Sequence, residues 1–179
     1  MEQSTRPPMT TQEEEELQAF ATQVFDLARR GDAEMLDALL GQGLPPNLRN
    51  QKGDTLLMLA SYHGHLDACR CLLQRGADPN IANDAGQTPL AGIGFKGHTA
   101  MAALLLEHGA EVDASGPDGR TALMMAAMFD RTEIVDLLLR HGADPTRTDA
   151  RGLDALASAQ AMGATHTPAQ LGAVLQAQG

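Results

Sequence analysis

Several side chains in this chain have types and spacings that could support chemistry. The segment GIGFKG at 92–97 fits the G-x-G-x-x-G pattern whose backbone approaches a dinucleotide pyrophosphate. That chemistry needs a preceding strand, a βαβ unit and an acidic residue further on, and none of them is present. HGH at 63–65, with His98, His108 and His141, offers imidazoles to a metal, but no third ligand falls at helical spacing. Cys69 and Cys71 lie two residues apart, a spacing that keeps them off one helical face and argues against a disulfide or a shared metal. Ser4, Ser61, Ser115 and Ser158 are in no G-x-S-x-G elbow. The expectation is a chain without catalytic residues, cofactor or metal. A small-molecule or metal-dependent enzyme is the weakest of the alternatives.

Bulk composition narrows the field further. The 179 residues carry a net charge of −10, which repels phosphate and disfavours nucleic acid and anionic membranes. The start, MEQSTRPPMT, has no apolar run, and no later run approaches the roughly 20 apolar residues needed to span a bilayer. A cytoplasmic monomer is therefore expected. Aromatic residues make up 3% of the chain, with four Phe, one Tyr and no Trp, so Leu, Ala and Met must build the core. Such residues suit helix–helix packing, and an all-α protein is favoured.

The elements that would position these residues recur with a period of 33. Gly53, Gly86, Gly119 and Gly152 share one column, and Gly43, Gly76, Gly109 and Gly142 another. Thr55, Thr88 and Thr121 align, with Asp154 in the fourth place, followed by Leu57, Leu90, Leu123 and Leu156. Gly31, Gly64, Gly97 and Gly163 form a further column that Asp130 interrupts. Each unit begins with a turn whose Thr caps a short inner helix such as TLLMLASYH. After a glycine, an outer helix such as LDACRCLLQR carries an apolar stripe of Leu66, Cys69, Leu72 and Leu73 and stops at Gly76. Two such helices cannot bury their stripes alone and must stack on copies of themselves.

The segments GDTLLMLASYHGHLDACRCLLQRGADPN, GQTPLAGIGFKGHTAMAALLLEHGAEVD and GRTALMMAAMFDRTEIVDLLLRHGADPT resemble the ankyrin-repeat family. The resemblance runs from about residue 17 to 179 and implies a solenoid of about five units. Three regular central repeats (50–82, 83–115, 116–148) would lie between degenerate caps (13–49 and 149–179), joined by short β-hairpin-like turns. Residues 1–12 are expected to be a disordered tail. Glu13–Glu16 would complement the dipole of the first helix, and Thr167 and Pro168 would be N-cap and first residue of the last one.

Two departures stand out. The family's TPLH segment usually carries a histidine that links neighbouring repeats, and here that column reads Met58, Ala91, Met124 and Ala157. Packing is expected to replace the polar link. Gly92 and Gly94 stand inside an inner helix at about 1 kcal/mol each against Ala, so a soft or bent third repeat is expected. Cys69 and Cys71 fall in core columns and read as buried apolar residues.

The resemblance implies a concave face lined by the turn tips and the ends of the inner helices. The candidate partner-binding residues are Tyr62, His63, Phe95, Lys96, Met128 and Phe129, rimmed by Lys52, Asp54, Gln87, Asp118 and Arg120. Tyr62, Phe95 and Met128 share a column and would form an apolar ridge, as interface cores favour aromatics and Met. The competing reading packs these rings between repeats, where they bind nothing. The expected function is non-catalytic binding of a partner protein. The alternative is a dedicated inhibitor or activator of one partner enzyme.

Overall fold

The computed structural model describes residues 9–178. Among them are ten helices: α1 (Thr11–Arg30), α2 (Ala33–Gly41), α3 (Leu56–Tyr62), α4 (Leu66–Gln74), α5 (Pro89–Lys96), α6 (Thr99–Glu107), α7 (Ala122–Met128), α8 (Thr132–Arg140), α9 (Ala155–Ala161) and α10 (Thr167–Gln178). They stack as five antiparallel pairs. The odd-numbered helices pack on one another as an inner row, and α2, α4, α6 and α8 form an outer row. Strand structure among the described residues amounts to one isolated bridge, Arg49 to Thr55, so the turns between units are hairpin-like without being strands. The core is a continuous seam of Leu, Ala, Ile and Met between the rows, including Leu57, Leu90, Leu123, Leu72, Leu105 and Leu138.

The repeated residues do repeated work. Thr55, Thr88 and Thr121 accept from the backbone N–H three residues on, at 3.1, 3.3 and 3.3 Å, and Asp154 does the same at 2.8 Å. These bonds satisfy orphan donors at the start of each inner helix. Ahead of each cap, the side-chain oxygens of Asn50, Asn83 and Asp149 accept from the N–H groups two and four residues on and hold the turn closed. Gly116 takes this place in the fourth unit, since a Cβ there would lie 2.6 Å from the Gly86 carbonyl oxygen.

The glycines that end the inner helices are explained by the next unit. Gly31, Gly64 and Gly97 have φ of 74°, 81° and 87°; an added Cβ would clash with His65 at Gly31 and with Arg131 at Gly97, and would press on His98, 3.3 Å away, at Gly64. His65 Nε2 also bonds the Arg29 carbonyl at 2.8 Å. In the fourth unit the covering position is Ala164, and Asp130 occupies the turn at φ 56°, a left-handed conformation that Asp tolerates better than most residues. Its carboxylate accepts from the backbone N–H groups of His166 and Thr167, both at 2.9 Å, and from the Thr165 hydroxyl at 2.8 Å. The His166 ring Nδ1 lies 2.6 Å from the same carboxylate. These four bonds hold the Asp130 carboxyl far below the ordinary carboxylate range, the His166 side chain being the largest cause.

Three expectations are corrected here. The helix cap expected at Thr167 comes from Asp130 of the preceding unit, while Thr167 is buried and donates to the Ala127 carbonyl at 2.7 Å. At the other end α1 begins at Thr11, inside the expected tail. Thr10 accepts from Glu13 N–H at 3.3 Å and donates its own N–H to the Glu13 carboxylate at 2.8 Å, a reciprocal cap that fixes the start. The rest of that tail, residues 1–8, lies outside the described residues. The expected packing in the former histidine column is observed at its two methionines, and polar links between units are made at another position. Asn47, Asn80 and Asp113 accept from the N–H of Asp78, Glu111 and Asp144 in the next unit at 2.7 to 3.2 Å, while Met58 and Met124 fill the former histidine column. Lastly, α5 runs unbroken through both its glycines. Gly94 is required by close approach, because a Cβ there would lie 2.7 Å from the Ala122 carbonyl oxygen and 3.2 Å from Ala126 N.

Candidate functional site

The inner helices end in turn on the same side of the stack as the hairpin tips, and the two rows enclose a groove. Its main cavity, about 590 Å³, spans the second to fourth units. Tyr62, Phe95, Phe129, Met58, Leu59 and Met125 supply its apolar surface, and Asp54, Asn83, Gln87, Asp118 and Arg120 supply its polar wall. A second cavity of about 480 Å³ continues it toward α1, with Arg29, Arg49 and Lys52 on its lining, and the two share Asp54 and Leu59.

The aromatic residues are ordered against one another. Tyr62 is 40% and Phe95 37% exposed, so neither ring is interred between repeats. Phe95 and Phe129 meet edge to face with centroids 4.6 Å apart. Lys96 Nζ lies 4.3 Å from the centre of the Tyr62 ring, a cation–π contact, and the His63 ring stands edge-on to Tyr62 at 5.7 Å. Burial, then the positive charges of His65, Lys96 and Arg29, push the His63 imidazole below its ordinary value. His63 is accordingly neutral near pH 7.

Most of the expected site residues meet here. Tyr62, His63, Phe95, Phe129, Asp54, Gln87, Asp118 and Arg120 all line the main cavity. Lys52 lines the second cavity, and Lys96 is placed by its contact with Tyr62. Met128 is the exception. It is half-buried and off the groove, so the expected ridge of Tyr62, Phe95 and Met128 is replaced by Tyr62, Phe95 and Phe129. Phe129, the C-cap of α7, takes the place beside Phe95 that the ridge required.

Ion pairs on the polar wall are loose. Arg120 Nε is 3.7 Å from Asp118 and 3.9 Å from Asp149. The Asp149 side chain is 2% exposed and its carboxyl is held below the ordinary range, first by the Leu153 N–H. Residues that the sequence reading passed over include Met58, Ala91, Gly92 and Met125, which floor the groove. For Gly92 and Met125 the signal was the column of Leu59, Gly92 and Met125, in which one unit lacks a side chain.

The cysteines divide. Cys69 is buried and its thiol is pushed up to about 12 by burial, as a core residue should be. Cys71 is only half-buried, contrary to expectation, and its thiol donates to Asp37 at 3.5 Å. Asp37 is in turn held by two bonds from Arg75, at 2.8 and 2.9 Å. Among the described residues no group of three or more His, Cys, Asp or Glu side chains could hold a metal ion, and no helix is long and apolar enough to cross a membrane.

Comparison with known proteins places this geometry in context. The profile of a family described as ankyrin repeats, in three copies, matches residues 24–115 and 75–149. A Pseudomonas aeruginosa protein named only for its ankyrin repeats, PA3287, is 59% identical over 70 residues. That stretch is 39% of this chain, and the match spans about two fifths of the relative's length, 39%.

Proposed function

Since the chain belongs to the ankyrin-repeat family, whose repeats generally mediate protein–protein interaction, we propose that it is a non-catalytic module that docks a partner protein in its concave groove. The observation that carries this reading is the exposure of Tyr62 and Phe95 at the mouth of the 590 Å³ cavity. The sequence has five aromatic residues, and three of them converge there. Large rings with few torsions lose little entropy on docking, and rings cross-braced as Phe95 and Phe129 are lose less. His63, Lys96, Asp54, Gln87, Asp118, Arg120 and Lys52 form the polar surround. Two free thiols suit a reducing compartment, and we place the protein in the cytoplasm as a monomer.

The test replaces Tyr62, Phe95 and Phe129 together by Ala and compares capture of partners from a lysate of the native cell. The expected result is loss of about tenfold or more of the captured partner with helicity unchanged. Equal capture by the two proteins would remove the concave face from the reading. Where the captured partner is one enzyme at fixed stoichiometry whose rate changes on binding, the module acts as its dedicated regulator.

A further inference from the structure

Charge is unevenly spread on this chain, and the groove is where its balance reverses. Over the whole sequence 23 Asp and Glu outnumber 13 Lys and Arg. Along the groove Arg29, Arg49, Lys52 and Arg120 line the two cavities and Lys96 covers one face of Tyr62, against Asp54 and Asp118. Both lysines of the chain are among these cations.

The groove's carboxylates are already engaged, and its lysines are not. Asp54 accepts from two amides, Asn50 Nδ2 at 3.2 Å and Asn83 Nδ2 at 2.9 Å, and among the described residues it has no ion pair. Asp118 accepts from the Arg120 backbone N–H at 3.1 Å. Among the described residues neither Lys52 nor Lys96 forms an ion pair, although the chain carries a net charge of −10. Arg29 and Arg49 pair with Asp26 and Asp84, whose side chains are more than half exposed, and such pairs yield to another carboxylate at little cost. The His63 imidazole records the local field: after burial, the charges of His65, Lys96 and Arg29, all positive, hold it below its ordinary value. At physiological ionic strength charges act over about 8 Å, so an occupant of the groove meets these cations and is screened from the acids of the outer helices.

The apolar and cationic parts lie side by side. In the other inner helices the column of Gly92 holds Leu59, Met125 and Ser158. The nearest atom to a Cβ added at Gly92 is Tyr62 Cδ2, at 3.7 Å, so packing does not require the glycine, and it leaves a recess in the cavity that Leu59, Phe95 and Met125 also line. The cavity with Arg29, Arg49 and Lys52 adjoins it at Asp54 and Leu59. Packed helices lie about 8–10 Å apart, and one or two units separate the recess from those cations. About three to six residues of extended chain cover that distance.

We infer that the groove receives a segment of a partner protein that carries a large apolar side chain and, about three to six residues from it, a cluster of Asp or Glu: the apolar group fills the recess at Gly92, and the carboxylates reach Lys52 with Arg29 and Arg49 beside it. The inference rests on the concave-face reading above and adds the chemistry of the occupant. A phage-displayed library of random dodecapeptides, panned on the full chain, supplies the probe. Enriched peptides are expected to share acidic residues about three to six positions from a large apolar one. In fluorescence polarisation the synthetic consensus peptide should bind the wild type about tenfold more tightly than Lys52→Glu and about threefold more tightly than Lys52→Gln, an order that follows charge. The Lys52 side chain is exposed, so neither change disturbs the stack. Gly92→Leu, which fills the recess, should cost about tenfold. Arg140→Glu, the same reversal at the exposed end of α8, should leave the affinity within about twofold.

Peptide variants repeat the test without depending on the folding of any protein variant. Changing the acidic residues to Asn or Gln, or the apolar residue to Ala, should weaken binding to the wild type by about tenfold. Lack of an enriched consensus, a consensus that is basic or without charge, or affinity unmoved by these changes would overturn the inference. A mass that rises with concentration in light scattering, and falls back with Lys52→Glu, would give the groove to a second copy of the chain and overturn it as well. Peptides whose binding falls with the triple aromatic variant but not with Lys52→Glu or Gly92→Leu would overturn this inference while leaving the concave-face reading in place.

Discussion

Helix α5 and the turn before α8 depart from the repeat in opposite directions. In α5, Gly92 stands where the other units carry side chains. Before α8, Asp130 stands where they carry glycine. The second departure fills the space it has: its carboxylate makes four bonds that start α10 and close the C-terminal end of the stack. The first leaves its space open, on the face where the aromatic side chains emerge. In a repeat protein each unit is a control for its neighbours. A deviation that gains intramolecular partners has a structural cause, and one that gives them up has none within the stack.

Substitutions at three positions bear on this contrast. Gly94→Ala should have the largest effect, a loss of about 1–3 kcal/mol in urea unfolding, because the new methyl meets the backbone of α7 and not a yielding side chain. A neutral result there would mean that α5 and α7 can part, and would blur the line between packing glycines and open ones. Asp130→Ala should come next, lowering the melting midpoint by about 4 °C. Amide exchange should rise in α10 well before α3 or α5. The pH dependence has a definite sign: the folded carboxyl is depressed, so its contribution is complete above the ordinary carboxylate range and is lost as pH falls through the folded value. The gap in midpoint between wild type and Asp130→Asn should therefore be widest near neutrality and narrow below about pH 4. Smallest, and opposite in sign, Gly92→Ala should stabilise by about 0.5–1 kcal/mol, since a methyl fits without displacing Tyr62. Destabilisation by that change would show a structural need for the glycine and remove the asymmetry.

The fold could be read from the sequence because its determinants are local. A Thr three residues ahead of its donor, a glycine where φ must be positive and an apolar stripe of helical period each act within one unit, and repetition at 33 residues revealed all of them. Tyr62, Phe95 and Phe129 could be placed at helix ends for the same reason. Met128 was misplaced because which of two adjacent side chains at the end of α7 meets Phe95 is set by stacking between units and not by a local rule. Likewise, Gly92 and Gly94 are indistinguishable by propensity and differ only in what faces them.

What this sequence determined alone is the repeating unit and the number of its copies, for every bond that shapes a unit joins residues a few positions apart. What the tertiary structure decided lies between units: which glycine meets a backbone, which carboxylate caps the next helix and which has no cation, and which rings touch. Those relations join residues about 30 to 40 positions apart, where the geometry of stacking sets distance and the spacing along the chain does not.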